Sequence, residues 1–196
     1  GQEYAHHIAD SARRMDTLIQ DLLTYSRLSQ SEIQLQTVDL NTVVADVVPQ
    51  LRTEQEAKQA TITIEFPLPV VVGQTTIVHQ VLLNLLGNAL KYTDPEVPPE
   101  VRVWAETRRT WARLWVTDNG IGIAPEDQGQ IFGVFERLYS AGNYPGTGIG
   151  LAIVQRGIER LGGRVGVESA GAGQGSRFWI ELPLLSDNSN VEAAID

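Results

Sequence analysis

Apolar positions Ile8, Ala12, Met15, Ile19 and Leu22, followed by Ser26, recur at steps of three and four from Glu3 to Leu28, a stretch without Gly or Pro. That spacing is the seam of a bundle-type helix. Leu18 and Leu23 widen the stripe. A helix of this kind cannot bury its apolar side alone. It either folds back onto its own domain or forms half of a helical hairpin that dimerises. Polar Ser29–Ser31 ends it.

Ile33, Leu35 and Val38 suggest a short strand, and Asp39 or Asn41 can N-cap the next helix. That helix carries Leu40, Val43, Val44, Val47, Val48 and Leu51 and runs to about Ala57, with Pro49 marking a kink or an early end. Strands are expected at Thr61–Phe66 and Val70–Val72, and a strongly apolar helix at Thr75–Tyr92. Val101–Thr107 and Trp111–Asp118 read as a hairpin around Arg108–Arg109. From Asn119 to Thr147 the chain is rich in Gly and Pro, with one short helical candidate at Asp127–Phe132. A connection of that length is usually functional or disordered. A helix over Gly148–Leu161, stopped by Gly162–Gly163, precedes strands Arg164–Glu168 and Arg177–Leu182. The class is α+β, a two-layer sandwich with helices on one face of a mixed sheet. The boundaries read as a bundle helix over 1–31, a compact domain over 32–185 and an acidic tail over 186–196, expected to be disordered.

Lys and Arg number 15 against 24 Asp and Glu, a net charge of −9. That balance lacks the cationic footprint of sequence-independent phosphate-backbone binding, so nucleic acid is not an expected partner. The absence of Cys excludes disulfides, thiolate metal sites and cysteine nucleophiles. No apolar run approaches the ~20 residues that span a bilayer. Neither a signal core nor a cleavage pattern opens the chain. The sequence therefore reads as a soluble, cytoplasmic fragment of a longer protein, making no direct membrane contact.

Two glycine clusters flank the long loop: Asp118-Asn119-Gly120-Ile121-Gly122 and Gly146-Thr147-Gly148-Ile149-Gly150. The second opens into a helix, where free N–H groups can receive an anion, although such clusters also serve simply as tight turns. Lys58 and Lys91 are the only lysines and neither follows Gly, which rules out a Walker loop. Leu151 stands where a dinucleotide fingerprint needs its third glycine, and protein-kinase catalytic loops are absent. On the apolar helix, Asn84 and Asn88 share one face with Lys91 close by. Amides in such a helix are costly unless satisfied. Here they point to a Mg²⁺-phosphate site, the bland alternative being two internally bonded amides.

These motifs resemble the catalytic and ATP-binding domain of a sensor histidine kinase, in the gyrase, heat-shock-chaperone, histidine-kinase and mismatch-repair ATPase superfamily. The resemblance spans about Ile33 to Leu185. In order it comprises the asparagine box (Asn84–Tyr92), the first glycine box (Asp118–Gly122), a phenylalanine box (Phe132 and Phe135), the second glycine box (Gly146–Gly150) and the segment Gly173–Phe178. Met15–Leu28, with Leu22-Leu23-Thr24-Tyr25-Ser26-Arg27, is similar to the second helix of that family's dimerisation and histidine-phosphotransfer hairpin. Tyr144–Ile153 further resembles kinases joined to phytochrome or PAS sensors.

The resemblance implies ATP and Mg²⁺ as ligands. Asp118 would accept from the adenine amino group, with Ser176 reaching the base through water. Asn88 would coordinate Mg²⁺, Asn84 would sit behind or beside it, Lys91 would approach phosphate and Tyr92 would pack near base or ribose. Gly120, Gly122, Gly146, Thr147 and Ile149 belong to the boxes that enclose the nucleotide, and Gly148 and Gly150 would turn N–H groups to the phosphates. Phe132 and Phe135 would lie in a mobile ATP lid over about Gly120–Thr147. Arg137 is either a γ-phosphate contact or a solvated lid residue, while Ile121, Ile123 and Leu151 are read as pocket wall.

The phosphoacceptor His of the family lies on the first hairpin helix, which this sequence does not contain. His6 and His7 fall on the wrong helix and are read as solvated; His79 is read as packing. The resemblance implies a kinase that passes the γ-phosphoryl of ATP to that His and onward to an Asp on a response-regulator receiver domain, with homodimerisation through the hairpin helices. Phosphotransfer by the fragment alone is not expected. The other readings are a superfamily ATPase or a nucleotide-binding interaction module without turnover. In the ATPase, a Glu one helical turn before the metal-binding Asn activates water; here that place holds Asn84.

Overall fold

In the computed structural model the described residues are 2–138, 144 and 146–185, with only the backbone described at 2, 3, 5–7, 10 and 14. Alternation of apolar and polar residues in the hairpin β4 (Glu100–Arg108) and β5 (Trp111–Asp118) organises the fold. Val101 and Val103 of β4, and Ala112, Leu114 and Val116 of β5, point to one side and are buried. With β2 (Thr61–Ile64), β6 (Arg164–Glu168) and β7 (Ser176–Pro183), these strands form a five-stranded sheet in the order β2-β4-β5-β7-β6. The β2–β4 pair is parallel and the others antiparallel. A separate antiparallel pair joins β1 (Gln36–Asp39) to β3 (Val70–Gly73).

Helices cover the apolar side of the sheet. The stripe of α4 (Thr75–Lys91) buries Val78, Val81, Leu82, Leu85 and Leu86, and α5 (Gly150–Arg160) buries Ile153, Val154 and Ile158 beside it. Val43, Val44 and Val47 of α2 (Leu40–Val47) complete the same core. Asp39 is the N-cap of α2, its carboxylate accepting from the Asn41 N–H at 2.9 Å. The Asn41 side-chain amide, which donates to the same carboxylate at 2.7 Å, and then this backbone N–H hold the Asp39 carboxyl below the usual range. At Pro49 the chain passes through a 3₁₀ turn, Val48–Leu51, before α3 (Arg52–Ala57), because proline cannot donate to the preceding turn.

On the other side of the sheet Trp104, Trp115 and Trp179 lie in register across β4, β5 and β7. Trp104 stacks on Trp115 with centroids 5.5 Å apart. Arg113 lies 5.4 Å from the Trp115 ring and 4.4 Å from the Trp179 ring, and it pairs with Glu181. Cation–π and ion-pair contacts thus line this face of the sheet.

Helix α1 (Gln2–Gln30) lies against α5. It docks through Leu18, Tyr25 and buried Leu28 rather than through the heptad seam. Ile8, Met15 and Ile19 of the seam remain 70%, 59% and 53% exposed. The side chains of His6 and His7 lie outside the described residues, as does the tail 186–196. His79 is within 2.8 Å of Gln50 Nε2.

Two expected elements differ. Asp127–Phe132 is a run of turns, closed by i→i+3 bonds such as Gln130 N–H to Asp127 O and Gly133 N–H to Gln130 O. Side-chain packing holds it: Ile131 is buried, and Gln128 Nε2 donates to the Ile123 and Ser169 carbonyls. Helix α5 starts at Gly150 rather than Gly148, because Gly148 has φ +75°, outside the helical region.

Candidate functional site

The core that α4 builds leaves one of its polar faces beside the C-terminal end of β5. Asn84, Asn88 and Lys91 lie on that face and line a cavity of about 320 Å³, a size suited to a small-molecule ligand. Asn84 Nδ2 donates to the Gln80 carbonyl at 2.9 Å. Its Oδ1 faces Gly150, where a Cβ would approach to 2.9 Å. Among the described residues the Asn88 carboxamide has no hydrogen-bond partner, so its oxygen is available to a ligand. Lys91 Nζ donates to the Tyr92 hydroxyl at 3.0 Å, and the Tyr92 ring meets Tyr144 with centroids 5.5 Å apart.

Asp118 ends β5 and points into the cavity. Its Oδ1 accepts from the backbone N–H groups of Gly120 at 2.9 Å and Ser176 at 3.1 Å. Its Oδ2 accepts nothing from a described residue and is left for a donor on the ligand. Burial pushes the carboxyl up to about 6, against the two N–H groups that favour the ion. The group is therefore mostly ionised at neutral pH while remaining easy to protonate. Gly175 lets the segment before β7 close over this end of β5: its φ is +67° and a Cβ there would stand 2.1 Å from the Asp118 carbonyl oxygen.

Of the expected site residues, Asn84, Asn88, Lys91, Tyr92, Asp118, Gly122, Ile123, Arg137, Gly146, Thr147, Gly148, Gly150, Leu151 and Ser176 line this one cavity. Four do not. Ile149 is 0% exposed and belongs to the core, because the turn into α5 directs it inward. Gly120 stays behind Asp118, holding it through its N–H. Phe132 packs edge-on against Phe178, which itself lines the cavity. Phe135 is 57% exposed, with its N–H bonded to the Gly148 carbonyl at 3.0 Å. Arg137 Nη2 donates to the Tyr144 carbonyl at 2.9 Å.

The beginning of the expected lid is fastened. Ile121 N–H donates to the Tyr92 carbonyl and Ile123 N–H to Ser169 Oγ, at 2.9 and 3.0 Å. Sequence reasoning missed Thr17, Asp21, Ile131, Glu136, Leu138 and Phe178 as lining residues. No local pattern marks Asp21: the Thr147 hydroxyl that donates to it is 126 residues away.

Mg²⁺ takes oxygen ligands and keeps water or phosphate in most positions. The Asn88 oxygen, without a partner among the described residues, would fit that demand. No group of three or more His, Cys, Asp or Glu able to hold a metal occurs among the described residues. None of their helices is long and apolar enough to cross a membrane.

The profile of the histidine kinase-, DNA gyrase B- and HSP90-like ATPase family matches residues 73–186. Cyanobacterial phytochrome A of Nostoc sp. is 35% identical over 182 residues, covering 93% of this chain and 23% of that protein. The adaptive-response sensory kinase SasA of Thermosynechococcus vestitus is 36% identical, over 94% of this chain and 49% of that protein. The chain thus spans a quarter to a half of the length of these relatives. Full-length ShkA, solved in complex with AMPPNP, superposes with a TM-score of 0.77 at 30% identity, over 98% of this chain and 41% of that one. ThkA, solved with the response regulator protein TrrA, shares the fold, with a TM-score of 0.71 at 22% identity over 93% of this chain and 51% of that one. With the asparagine and glycine boxes lining one cavity, the chain belongs to the histidine kinase-, DNA gyrase B- and HSP90-like ATPase family, and its relatives include sensor histidine kinases.

Proposed function

We propose that this chain is the ATP-binding catalytic part of a two-component sensor histidine kinase. The observation that carries the reading is Asp118, which lines the cavity: one carboxylate oxygen is fixed by two backbone donors, while the other accepts nothing from a described residue. A buried carboxylate held in this way selects a base with an amino group at its edge, as adenine has, over one with a carbonyl there. Ser176 sits close enough to add a water-mediated contact. Phosphates extend past Lys91 and Asn88 towards Gly148 and Gly150 at the start of α5. Backbone N–H groups and the positive end of the helix stabilise anions there.

Asn88 would hold a Mg²⁺ through its side-chain oxygen, and that ion would supply charge neutralisation for the phosphates. The protein's own part is to position. Asn84, tied to Gln80, fixes the wall beside Gly150. Lys91 brings a positive charge, and the loop before Gly146 carries Arg137. The γ-phosphoryl then leaves ADP and bonds to a histidine nitrogen on another hairpin helix, and from there reaches an Asp carboxylate of a response-regulator receiver domain. Such transfer depends on alignment and electrostatics. Homodimerisation through the α1 seam, which leaves Ile8, Met15 and Ile19 exposed, would bring that helix to the site.

The ATPase reading is weaker because Asn84, where that enzyme class places its Glu base, cannot take a proton and is bonded to Gln80. Incubation with γ-labelled ATP separates the two. Joined to a first hairpin helix bearing a His, the chain should gain acid-labile, base-stable label with little free phosphate. Release of inorganic phosphate without label on protein would favour the ATPase.

A further inference from the structure

Helix α1 reaches the cavity through Thr17 and Asp21. The Thr147 hydroxyl donates to Asp21 Oδ2. The same Oγ1 accepts from the Ile149 N–H at 3.4 Å, one residue before α5 begins. The first turn of α5 carries the free N–H groups and the positive end of the helix. Through Thr147, a carboxylate of α1 therefore leans on the end of α5 assigned above to phosphate. The other end of α5 is also tied to α1. Arg160 donates from Nη1 to the Ser29 carbonyl at 2.7 Å and from Nη2 to the Ser31 carbonyl at 2.5 Å. The two helices are thus clamped by polar contacts at two points, one of them set in the nucleotide cavity.

The geometry points to Asp21 as a surrogate anion that holds α1 against the site and competes with the triphosphate of ATP. This inference rests on the nucleotide reading. Phosphates at Gly148 and Gly150 and the Asp21 carboxylate are like charges at the mouth of one cavity. Loading the site therefore weakens the Asp21–Thr147 contact, while Arg160 keeps the Ser29–Ser31 end attached as a hinge. The helix that lies along α5 is released from the end nearest the phosphates. Were Asp21 instead a ligand of the metal that accompanies ATP, removing its charge would have the opposite effect.

The test uses the whole chain, titrated with adenosine and with Mg²⁺ plus a non-hydrolysable ATP analogue, as wild type, Asp21→Asn and Asp21→Ser. Both variants should bind the analogue about three- to tenfold more tightly, the gain shrinking as salt rises. Adenosine, which has no phosphate, should bind all three alike. Unchanged or weaker analogue binding in both variants overturns the inference, and so does an equal gain for adenosine. If the wild type binds neither ligand, the nucleotide reading itself fails, a result distinct from equal affinities across the three proteins.

Discussion

The backbone N–H of Ser176, at the start of β7, donates to Asp118 Oδ1, at the end of β5, across 3.1 Å. These residues are register partners in the sheet. The bond makes a side-chain orientation out of strand pairing: wherever β5 and β7 pair correctly, the Asp118 carboxylate is aimed. The Gly120 N–H on the same oxygen leaves only Oδ2 for a ligand.

The first consequence is a pH dependence of opposite sign for binding and for stability. The Asp118 carboxyl lies at about 6 in the folded chain against 3.8 ordinarily. Between those values the folded state holds a proton that the unfolded state does not, so this group's contribution favours folding at low pH and is lost as pH rises through 6. Adenosine binding needs the ion and should fall about tenfold from pH 7 to pH 5. Calorimetric titration with adenosine, which carries no titrating phosphate, checks the first part; denaturant unfolding at the two pH values, against Asp118→Asn, checks the second.

Asp118→Asn should separate fold from function. The amide oxygen can keep the bonds from Gly120 and Ser176, turning the NH₂ group towards the ligand. Removing a buried charge should stabilise the empty protein by roughly 1–3 kcal/mol. Adenine affinity should fall at least about tenfold, since two donors would then face each other. A variant of lower stability with intact affinity would contradict both expectations.

Glycine substitutions should divide by geometry. Gly175→Ala places a Cβ 2.1 Å from the Asp118 carbonyl oxygen at φ +67° and should cost more than about 2 kcal/mol, with loss of adenine binding. Gly87 lies inside α4 with nothing within 4 Å of an added Cβ. Gly87→Ala should therefore gain up to about 1 kcal/mol of stability. Thermal unfolding of the two variants measures both effects.

Hydrogen exchange should show a divided lid. The N–H groups of Ile121, Ile123 and Ile131 are bonded without nucleotide and should already be protected. Added protection on nucleotide binding should fall on Phe135–Leu138 and Gly146–Gly150. Equal change across Gly120–Ile131 would mean that the whole loop closes as one unit.

Periodicity made α4, the β4–β5 hairpin and β6 legible because each buries one face of a regular pattern. The asparagine and glycine boxes were legible for another reason: their chemistry demands particular residue types at short spacing. Asp127–Phe132 misled because Ile131 is buried and Phe132 packs against the core through tertiary contacts, without a helix. Ile149 misled because its place within a glycine box says nothing of the direction of its side chain, which is inward. The contribution of Asp21 was beyond local pattern, since docking of α1 onto α5 decides it. The seam of α1 was visible in sequence, but not that Leu18, Tyr25 and Leu28, rather than the seam, would meet the domain.

Asp118 and Asn88 together should define a Mg²⁺-dependent adenine-nucleotide site. Calorimetric titration of the wild type, Asp118→Ala and Asn88→Ala with ATP and GTP, each with Mg²⁺ and with EDTA, addresses it directly. The wild type should prefer ATP to GTP and lose affinity in EDTA. Asp118→Ala should weaken ATP at least about tenfold and erase the preference, and Asn88→Ala should remove most of the Mg²⁺ dependence. Undiminished ATP affinity in Asp118→Ala, with the preference over GTP intact, would contradict it.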